Sequence, residues 1–501
     1  MSEHETTKPT VPKSLSEVAE WDMEADVVIV GYGGAGTCAA LEADNAGSSV
    51  IIFEAASAGG GSTALSSGEI YLGGGTRVQQ ACGYQDSVEN MFAYLVKAAG
   101  PQADVAKIRN YCQGSAEHFA WLAELGVPFK DTEYPFRDVM ARTDDCLMYT
   151  GNEKAWPFTE AASPVPRGHN IQGEGEFNGW LLMKILMEEV ERRHNIKTFC
   201  DARALTLITD AKGAVHGLVV RMDQRELHVR ARRGVLLSAG GFVMNEPMLK
   251  KYAPRLQRGN EPHGNPNDMG AGILMGLGVG AAAINMHEGF VTLPFYPPAS
   301  LTYGIFVNSH GQRFINEDCY HGRVGYYCLE QIDPRVFLVG NVEDYGDYER
   351  IGYLRADVVA TGDSVEELEK EIGLVEGSLQ QTVALYNRYA EQGIDPLFHK
   401  SPDWVKPLKG PYFALNCTPG FGAYYPYFTL GGLDTLPSGE VLTPGGDIIP
   451  GLYAAGRTAC GVPRTGAGYN SGISVGDATF SGRMAGQAIA RVASRTLDGI
   501  R

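Results

Sequence analysis

The stretch Val27–Glu54 most constrains what this chain can fold into. An apolar run, Val27-Val28-Ile29-Val30, leads into Gly31-Tyr32-Gly33-Gly34-Ala35-Gly36 and then a helical pattern through Asn45. A second apolar run, Val50-Ile51-Ile52-Phe53, closes on Glu54. The glycines differ in what they permit. Gly31 lets the chain leave a strand in a tight turn, and Gly33 lets the backbone approach a pyrophosphate. Gly36 lets the helix pack closely on the strand. The helix N-terminus offers unpaired N–H groups to phosphates, and Glu54 is placed to accept from ribose hydroxyls. Strand, turn, helix, strand and acid in this order predict a Rossmann-like α/β domain that binds a dinucleotide.

At 501 residues the chain is long enough for two domains. A formal charge of −17 argues against nucleic acid or an anionic membrane as a partner. No uninterrupted apolar run approaches the ~20 residues of a membrane span. Residues 1–20 are polar and predict a loose tail rather than a signal peptide. The nine cysteines include no CxxC pair, which suits a reducing, cytoplasmic setting without structural zinc. The 63 glycines gather around 59–75, 264–280 and 418–476, as backbone drawn close to a ligand would require, although tight turns give the same clustering.

After Glu54, Gly59-Gly60-Gly61-Ser62-Thr63-Ala64 with Ser66, Ser67 and Gly68 forms a second glycine loop with small hydroxyls, suited to phosphate or sugar oxygens. Residues 85–125 and 178–194 carry helical periodicity. From Lys197 short strands follow, turning at Lys212-Gly213 and ending in Gly234-Val235-Leu236-Leu237-Ser238-Ala239-Gly240-Gly241, a buried strand that can return to the first sheet. Asp268–Ala283 reads as a Gly/Ala-rich helix. Near residue 285 the character shifts to prolines and aromatics, then a hairpin around His310-Gly311 and helices over 364–392. Glycine-rich sequence resumes at Tyr427–Gly432 and Ile449–Gly456, and a last helix spans about Gly472–Ser494.

These segments together resemble the flavoprotein family of fumarate reductases, succinate dehydrogenases and 3-ketosteroid dehydrogenases. The resemblance runs from Ala25 onward and rests on Gly31–Gly36 with Glu54, Gly59–Thr63, Ser238–Gly241, Phe306-Val307-Asn308 with Arg313–Glu317, Leu430–Leu433 and Ile449–Gly456. It implies bound FAD, a two-part FAD-binding domain (1–284 and 417–501) of the glutathione-reductase/fumarate-reductase type, and an inserted α+β cap (285–416). It implies cofactor contacts at Gly31, Gly33, Gly34, Ala35 and Gly36, and at Glu54 and Ala55. The second loop adds Gly61, Ser62, Thr63, Ser66 and Gly68. Ala204, Ala239, Gly240 and Asp268 follow, then Gly456, Arg457, Ser474 and Val475. The 57–68 loop holds no histidine for a covalent flavin link, so the FAD is expected to be non-covalent.

Fumarate reductases of this family place arginines after the Asn-Glu of the cap and before the last helix, to hold carboxylates and deliver a proton. Here those regions read Asn316-Glu317-Asp318-Cys319-Tyr320-His321 and Gly466-Ala467-Gly468-Tyr469-Asn470-Ser471-Gly472, with Arg323 and Arg464 nearby. Two tyrosines in place of two arginines resemble the 3-ketosteroid dehydrogenases, and the Tyr-x-Ser resembles their Δ4-(5α) type. That type implies an apolar 3-ketosteroid substrate, with a proton leaving C4 to a tyrosine and a hydride leaving C5 to flavin N5. Tyr469 is the candidate base, Tyr320 and Ser471 its proton donors and relay, and backbone N–H groups of Gly466–Gly472 the donors to the enolate. A free phenol needs about 4 kcal/mol to ionise at neutral pH. Ser471, two residues from Tyr469, projects to the same side if the loop is extended. Phe421–Phe428 and Leu293–Tyr296 offer walls for a flat apolar pocket, or else packing between domains. The sequence carries no second nicotinamide motif, iron–sulfur set or haem motif, so an external electron acceptor is expected. Three readings stay open beside this one: a Δ1-dehydrogenase, a reductase of an unsaturated acid, and a non-catalytic FAD-fold binding protein.

Overall fold

The strand Met23–Val30 lies inside a sheet of nine strands, counted among the described residues. It pairs in parallel with Val50–Phe53 on one side, Val27 opposite Val50. On the other side it pairs in parallel with Arg225–Leu237, Gly234 opposite Val27. Burial on both faces accounts for the unbroken apolar run: Val27, Val28, Ile29 and Ile52 are wholly inaccessible. The path across the sheet is Lys13–Ser14, Arg203–Thr209, Val215–Met222, Arg225–Leu237, Met23–Val30, Val50–Phe53, Ile196–Phe199. This computed structural model describes residues 7–173, 177–293, 298–346, 348, 356–421 and 423–494.

Arg225–Leu237 serves two pairings along one edge. Its first half pairs antiparallel with Val215–Met222, and Val235–Leu237 pairs in parallel with Ile448–Ala454. An irregularity between Ala231 and Gly234 separates the halves on the side facing Met23–Val30. The late strand thereby delivers Gly456 beside the first glycine turn.

Two expectations need correction here. Residues 7–20 are no loose tail: Lys13–Ser14 pairs with Ile208 and Thr209, and the Thr10 amide donates to the Leu274 carbonyl at 3.1 Å. The segment covers the otherwise unpaired edge of Arg203–Thr209, which is why a polar stretch is held. The helix expected over Asp268–Ala283 is confined to Ala271–Gly278; Gly280, at φ +89°, ends it ahead of the short strand Ala283–Ile284.

Ile305–Asn308, Val336–Asn341, Tyr412–Asn416 and Val358–Gly362 form a separate antiparallel sheet, in that order. Alternation along Ile305–Asn308 sorts its faces. Ile305 and Val307 pack with Leu368, Leu379 and Val383 of two covering helices, whereas Phe306 joins the main core with Val324 and Cys328. The hairpin turn carries Gly311 at φ +68°, with a bridge from Val307 to Arg313. Beneath it, Arg313 pairs with Glu317 and Asp395, each at 2.8 Å, and Lys400 with Glu317 at 3.3 Å. This buried network fixes the segment that leads to Tyr320.

The helix Gly34–Asn45 lies directly on the last helix, Ile473–Arg491. A Cβ added at Gly482 would strike the Ala35 carbonyl oxygen, and one at Gly486 the Ala39 carbonyl oxygen. Glycine and alanine on both sides are what this backbone approach demands. Gly486→Leu is expected to destabilise the protein by at least ~1–3 kcal/mol through overpacking. An unchanged denaturant midpoint would contradict the contact.

Candidate active site

The strands Met23–Val30, Val50–Phe53 and Arg225–Leu237 end at one cavity of about 480 Å³. Three helices begin on its wall, at Gly34, Gly61 and Ile473, with glycine N-caps Gly33, Gly60 and Gly472 and no side-chain cap. Their first N–H groups and positive dipole ends therefore gather at one place, which suits anionic groups. A Cβ at Gly31, at φ +103°, would sit 2.5 Å from the Ser238 carbonyl oxygen. At Gly33 the nearest atom would be Gly61 Cα, 3.8 Å away, so a side chain there would stand in the cavity.

Glu54 is locked at the tip of its strand by the amides of Tyr32 (2.9 Å) and Ala56 (2.8 Å). Asp268 ties three approaches together. Ser62 Oγ donates to it at 2.6 Å, Arg457 at 2.7 Å, and Gly240, at φ +77°, leaves no room for a Cβ beside its carboxylate. Gly34, Ala35, Ala55, Gly61, Thr63 and Ser66 line the cavity, as do Ala204, Ala239, Gly456, Ser474 and Val475. Gly36 and Gly68 do not. A Cβ at Gly36 would collide with the Gly31 carbonyl, so that glycine serves helix–strand packing. Gly68, at φ +82°, passes against the backbone of Asn178 and Gly179.

At the other end stands an aromatic group. Phe290 lies 4.3 Å from Tyr469, 5.0 Å from Phe428 and 6.5 Å from Tyr320, between ring centroids. All four residues line the cavity. Burial pushes the Tyr469 phenol up to about 12, against the opposing pull of the Ser474 hydroxyl and the Arg457 charge. Tyr320 caps the helix His321–Glu330. Its amide donates to Asn152 Oδ1 at 2.9 Å, and Arg137 grips the carbonyls of Asp318 and Cys319 at 2.8 Å. Burial and the nearby Arg137 charge hold His321, also on the wall, down near 3, so it stays neutral.

The loop before the last helix departs from expectation in two ways. The Tyr469 hydroxyl pairs with Ser474 Oγ at 2.9 Å, and the Ser471 hydroxyl faces Glu69 instead. The cause is the backbone: the Ser471 amide donates to the Thr150 carbonyl, Thr150 Oγ1 donates back to the Ser471 carbonyl, and Gly472 turns at φ +84° into the helix. The amides of Gly466, Ala467, Gly468, Tyr469 and Ser471 are spent on Glu288, Thr465, Gly466 and Thr150, so they are not donors to an enolate.

Of the aromatic walls, Tyr424, Pro426 and Phe428 line the cavity. Phe421 points to solvent, Tyr425 is buried elsewhere, Leu293 is off the wall, and Pro294, Phe295, Tyr296 and Gly422 fall outside the described residues. Sequence reasoning passed over Phe290, Glu69, Met140 and Phe177, which also line it. Phe290 was detectable as the middle residue of the strand Gly289–Val291; Glu69 carried no signal beyond its place after the second loop.

The glycine cradle, the acid at the strand tip and the three uncapped helices fit the pyrophosphate, ribose and isoalloxazine of FAD. A model of the FAD binding domain family matches residues 26–474. The 3-ketosteroid-Δ4-(5α)-dehydrogenase of Rhodococcus jostii RHA1, solved with 4-androstene-3,17-dione, superposes with a TM-score of 0.91 at 43% identity, over 96% of this chain and 100% of that one. The 3-oxo-5-alpha-steroid 4-dehydrogenase of Comamonas testosteroni is 26% identical, covering 88% of this chain and 94% of the relative. A fumarate reductase (cytochrome) of Shewanella frigidimarina is 28% identical, covering 94% and 78%. The chain belongs to the FAD-binding flavoprotein family of fumarate reductases and succinate dehydrogenases, and is an FAD-dependent oxidoreductase. Within that family it resembles the 3-ketosteroid dehydrogenases, and in particular the Δ4-(5α) type. Among the described residues no helix is long and apolar enough to cross a membrane.

Asp268→Ala is expected to free Ser62 and Arg457 and weaken FAD retention by ~10-fold or more, each lost charged hydrogen bond being worth about 1.5–3 kcal/mol. Fluorescence of flavin released on dilution checks this; retention equal to the unaltered protein would show that Asp268 is dispensable.

Proposed function

We propose that this protein is an FAD-dependent dehydrogenase that introduces the C4–C5 double bond into 5α-3-ketosteroids, and that Tyr469 takes the C4 proton. The observation that carries this reading is the fate of the arginines. Arg464 pairs with Asp104 at 2.9 Å, and Arg323 donates to the Ala467 carbonyl at 3.1 Å beneath the Phe158 and Tyr327 rings. Neither lines the cavity. The arginines that do are Arg203 and Arg457, and Arg457 is committed to Asp268. A dicarboxylate would find two phenols and two phenylalanines where it needs paired cations; a flat apolar ketone fits them. Residues 285–416 then act as the cap that supplies Tyr320, and 1–284 with 417–501 as the FAD-binding part.

When bound, FAD supplies the hydride acceptor at N5. The protein's own work is to move a proton and keep water out. Tyr469 sits on the cavity wall with Ser474 Oγ against its oxygen, a donor able to stabilise the phenolate at the start of the last helix. The dipole of that helix favours negative charge at the same point. Phe290 and Phe428 pack the Tyr469 ring, at 4.3 and 5.6 Å, and fix its direction. Tyr320 supplies the second phenol of the proton path. The FAD is held without a covalent bond, and an external acceptor takes the electrons. The nine cysteines, none in a disulfide, go with a reducing, cytoplasmic setting.

Tyr469→Phe is expected to keep FAD and lose ~10²–10⁴-fold in flavin reduction by substrate, the usual contribution of a positioned base. Near-normal reduction would remove Tyr469 from the role. Anaerobic mixing with a 5α-androstane-type 3-ketone should bleach the flavin and yield the 4-ene-3-ketone, identified by its ultraviolet band against a 1-ene standard. A 1-ene product would move the chain to the Δ1 type, and bleaching reversed by fumarate would favour the unsaturated-acid reading.

A further inference from the structure

Tyr94 lies one layer behind the two phenols that stand on the cavity wall. It sits on the helix Val88–Ala99, is 1% exposed, and packs against the rings of Tyr71 at 6.5 Å and Phe158 at 5.8 Å. Its hydroxyl is used twice. It donates to Asn470 Oδ1 and accepts the Asn152 amide at 2.8 Å. Burial, with the Glu153 charge adding to it, holds the phenol well above the ordinary tyrosine range, so it stays a donor.

Each of those partners holds one of the cavity tyrosines. Asn470 directly follows Tyr469, and its carbonyl accepts the Ile473 amide at 3.2 Å where the last helix begins. Asn152 Oδ1 accepts the Tyr320 amide at 2.9 Å. One hydroxyl thus links the backbones that carry Tyr469 and Tyr320. The fit around it is close. A Cβ at Gly151 would strike Asn470 Oδ1 and lie 2.7 Å from the Tyr94 hydroxyl. One turn along the same helix, a Cβ at Gly468 would strike the Ala98 carbonyl. The helix therefore backs the loop on both sides of Tyr469, while Thr150 takes both backbone groups of Ser471. A phenylalanine at 94 would fill the same space; only the hydroxyl, able to donate and accept at once, makes the connection.

We infer that Tyr94 is a positioning residue for the reaction: its hydroxyl, through Asn470 and Asn152, sets Tyr469 and Tyr320 at the separation from which both reach one substrate. The effect on rate rests on the dehydrogenase reading above. Tyr94, Asn152 and Asn470 do not line the cavity, so they act through the two phenols. Without the hydroxyl, the Asn470 side-chain oxygen and the Asn152 amide are left buried and unpaired, and both segments shift toward other partners. Arg137 on the carbonyls of Asp318 and Cys319, and Phe290 against both phenol rings, still hold the site. The tyrosines are displaced rather than lost, and a misplacement of about 1 Å can cost ~10²-fold in rate.

The test uses the FAD-loaded protein and Tyr94→Phe. The variant should keep FAD and bind a 5α-3-ketosteroid with an unchanged dissociation constant, yet reduce its flavin ~10- to 100-fold more slowly in rapid mixing. In a Tyr469→Phe background most of that loss should vanish, because the change acts through that phenol. A merely structural role would lower the denaturant midpoint and give equal losses in both backgrounds. A second readout needs no substrate. With tyrosines 13C-labelled at Cζ, Tyr94→Phe should move the two signals that Tyr469→Phe and Tyr320→Phe remove. Should Tyr94→Phe fail to fold, Asn152→Ala is read in the same way, its loss in rate vanishing in a Tyr320→Phe background. A normal rate, equal losses in both backgrounds, or unmoved Tyr469 and Tyr320 signals overturn the inference. If the signals move but no ketosteroid reduces the flavin of the unaltered protein, the dehydrogenase reading fails, and the placement of the two tyrosines by Tyr94 stands.

Discussion

Backbone contact between the first and last helices is the constraint on which the site depends. Gly482 and Gly486 let Ile473–Arg491 lie against the carbonyls of Ala35 and Ala39. That contact fixes where Ser474 and Val475 stand relative to Gly34 and Ala35, on the wall of the same cavity. Two dipole ends from opposite ends of the chain are thereby aimed at one ligand. The parallel pairing of Val235–Leu237 with both Met23–Val30 and Ile448–Ala454 holds the same relation from the sheet side. Helix contact and strand order thus enforce one geometry, so neither the early nor the late segment can build the cofactor site alone.

Much of the cofactor side was legible because its demands act on the backbone and leave a mark residue by residue. A strand buried on both faces must read Val-Val-Ile-Val, and a turn at φ +103° under the Ser238 carbonyl must be Gly31. The aromatic end was read less well, because a side chain's partners depend on elements distant in sequence. Ser471 looked able to reach Tyr469 as a neighbour in an extended loop. Thr150, from far upstream, takes both backbone groups of Ser471 and turns its hydroxyl toward Glu69. Gly68 misled for a related reason: its positive φ serves the crossing of the helix beginning at Gly179, a requirement invisible until that helix is placed. Residues 7–20 were misjudged because a two-residue strand such as Lys13–Ser14 leaves no periodic signal.

The tyrosine end poses an energetic problem that its neighbours answer in part. Burial lifts the Tyr469 phenol to about 12, the wrong direction for a base at neutral pH. Bringing it to 7 from there would need about 7 kcal/mol at 1.36 kcal/mol per unit. The Ser474 hydroxyl and the Arg457 charge already oppose burial in that value, and a favourable partly buried dipole contact from the helix is worth up to ~2 kcal/mol more. Those contributions do not close the gap by themselves. A standing phenolate is therefore not the resting form of Tyr469.

What burial leaves is a phenol that keeps its proton at rest, with the Ser474 hydroxyl against its oxygen. Of the carboxylates on the same wall, Asp268 is gripped by Ser62 and Arg457. Glu69 is different: burial lifts its carboxyl to about 7, against the opposing pull of the Ser471 hydroxyl. Burial thus favours the protonated form of two groups on this cavity wall, the Tyr469 phenol and the Glu69 carboxyl.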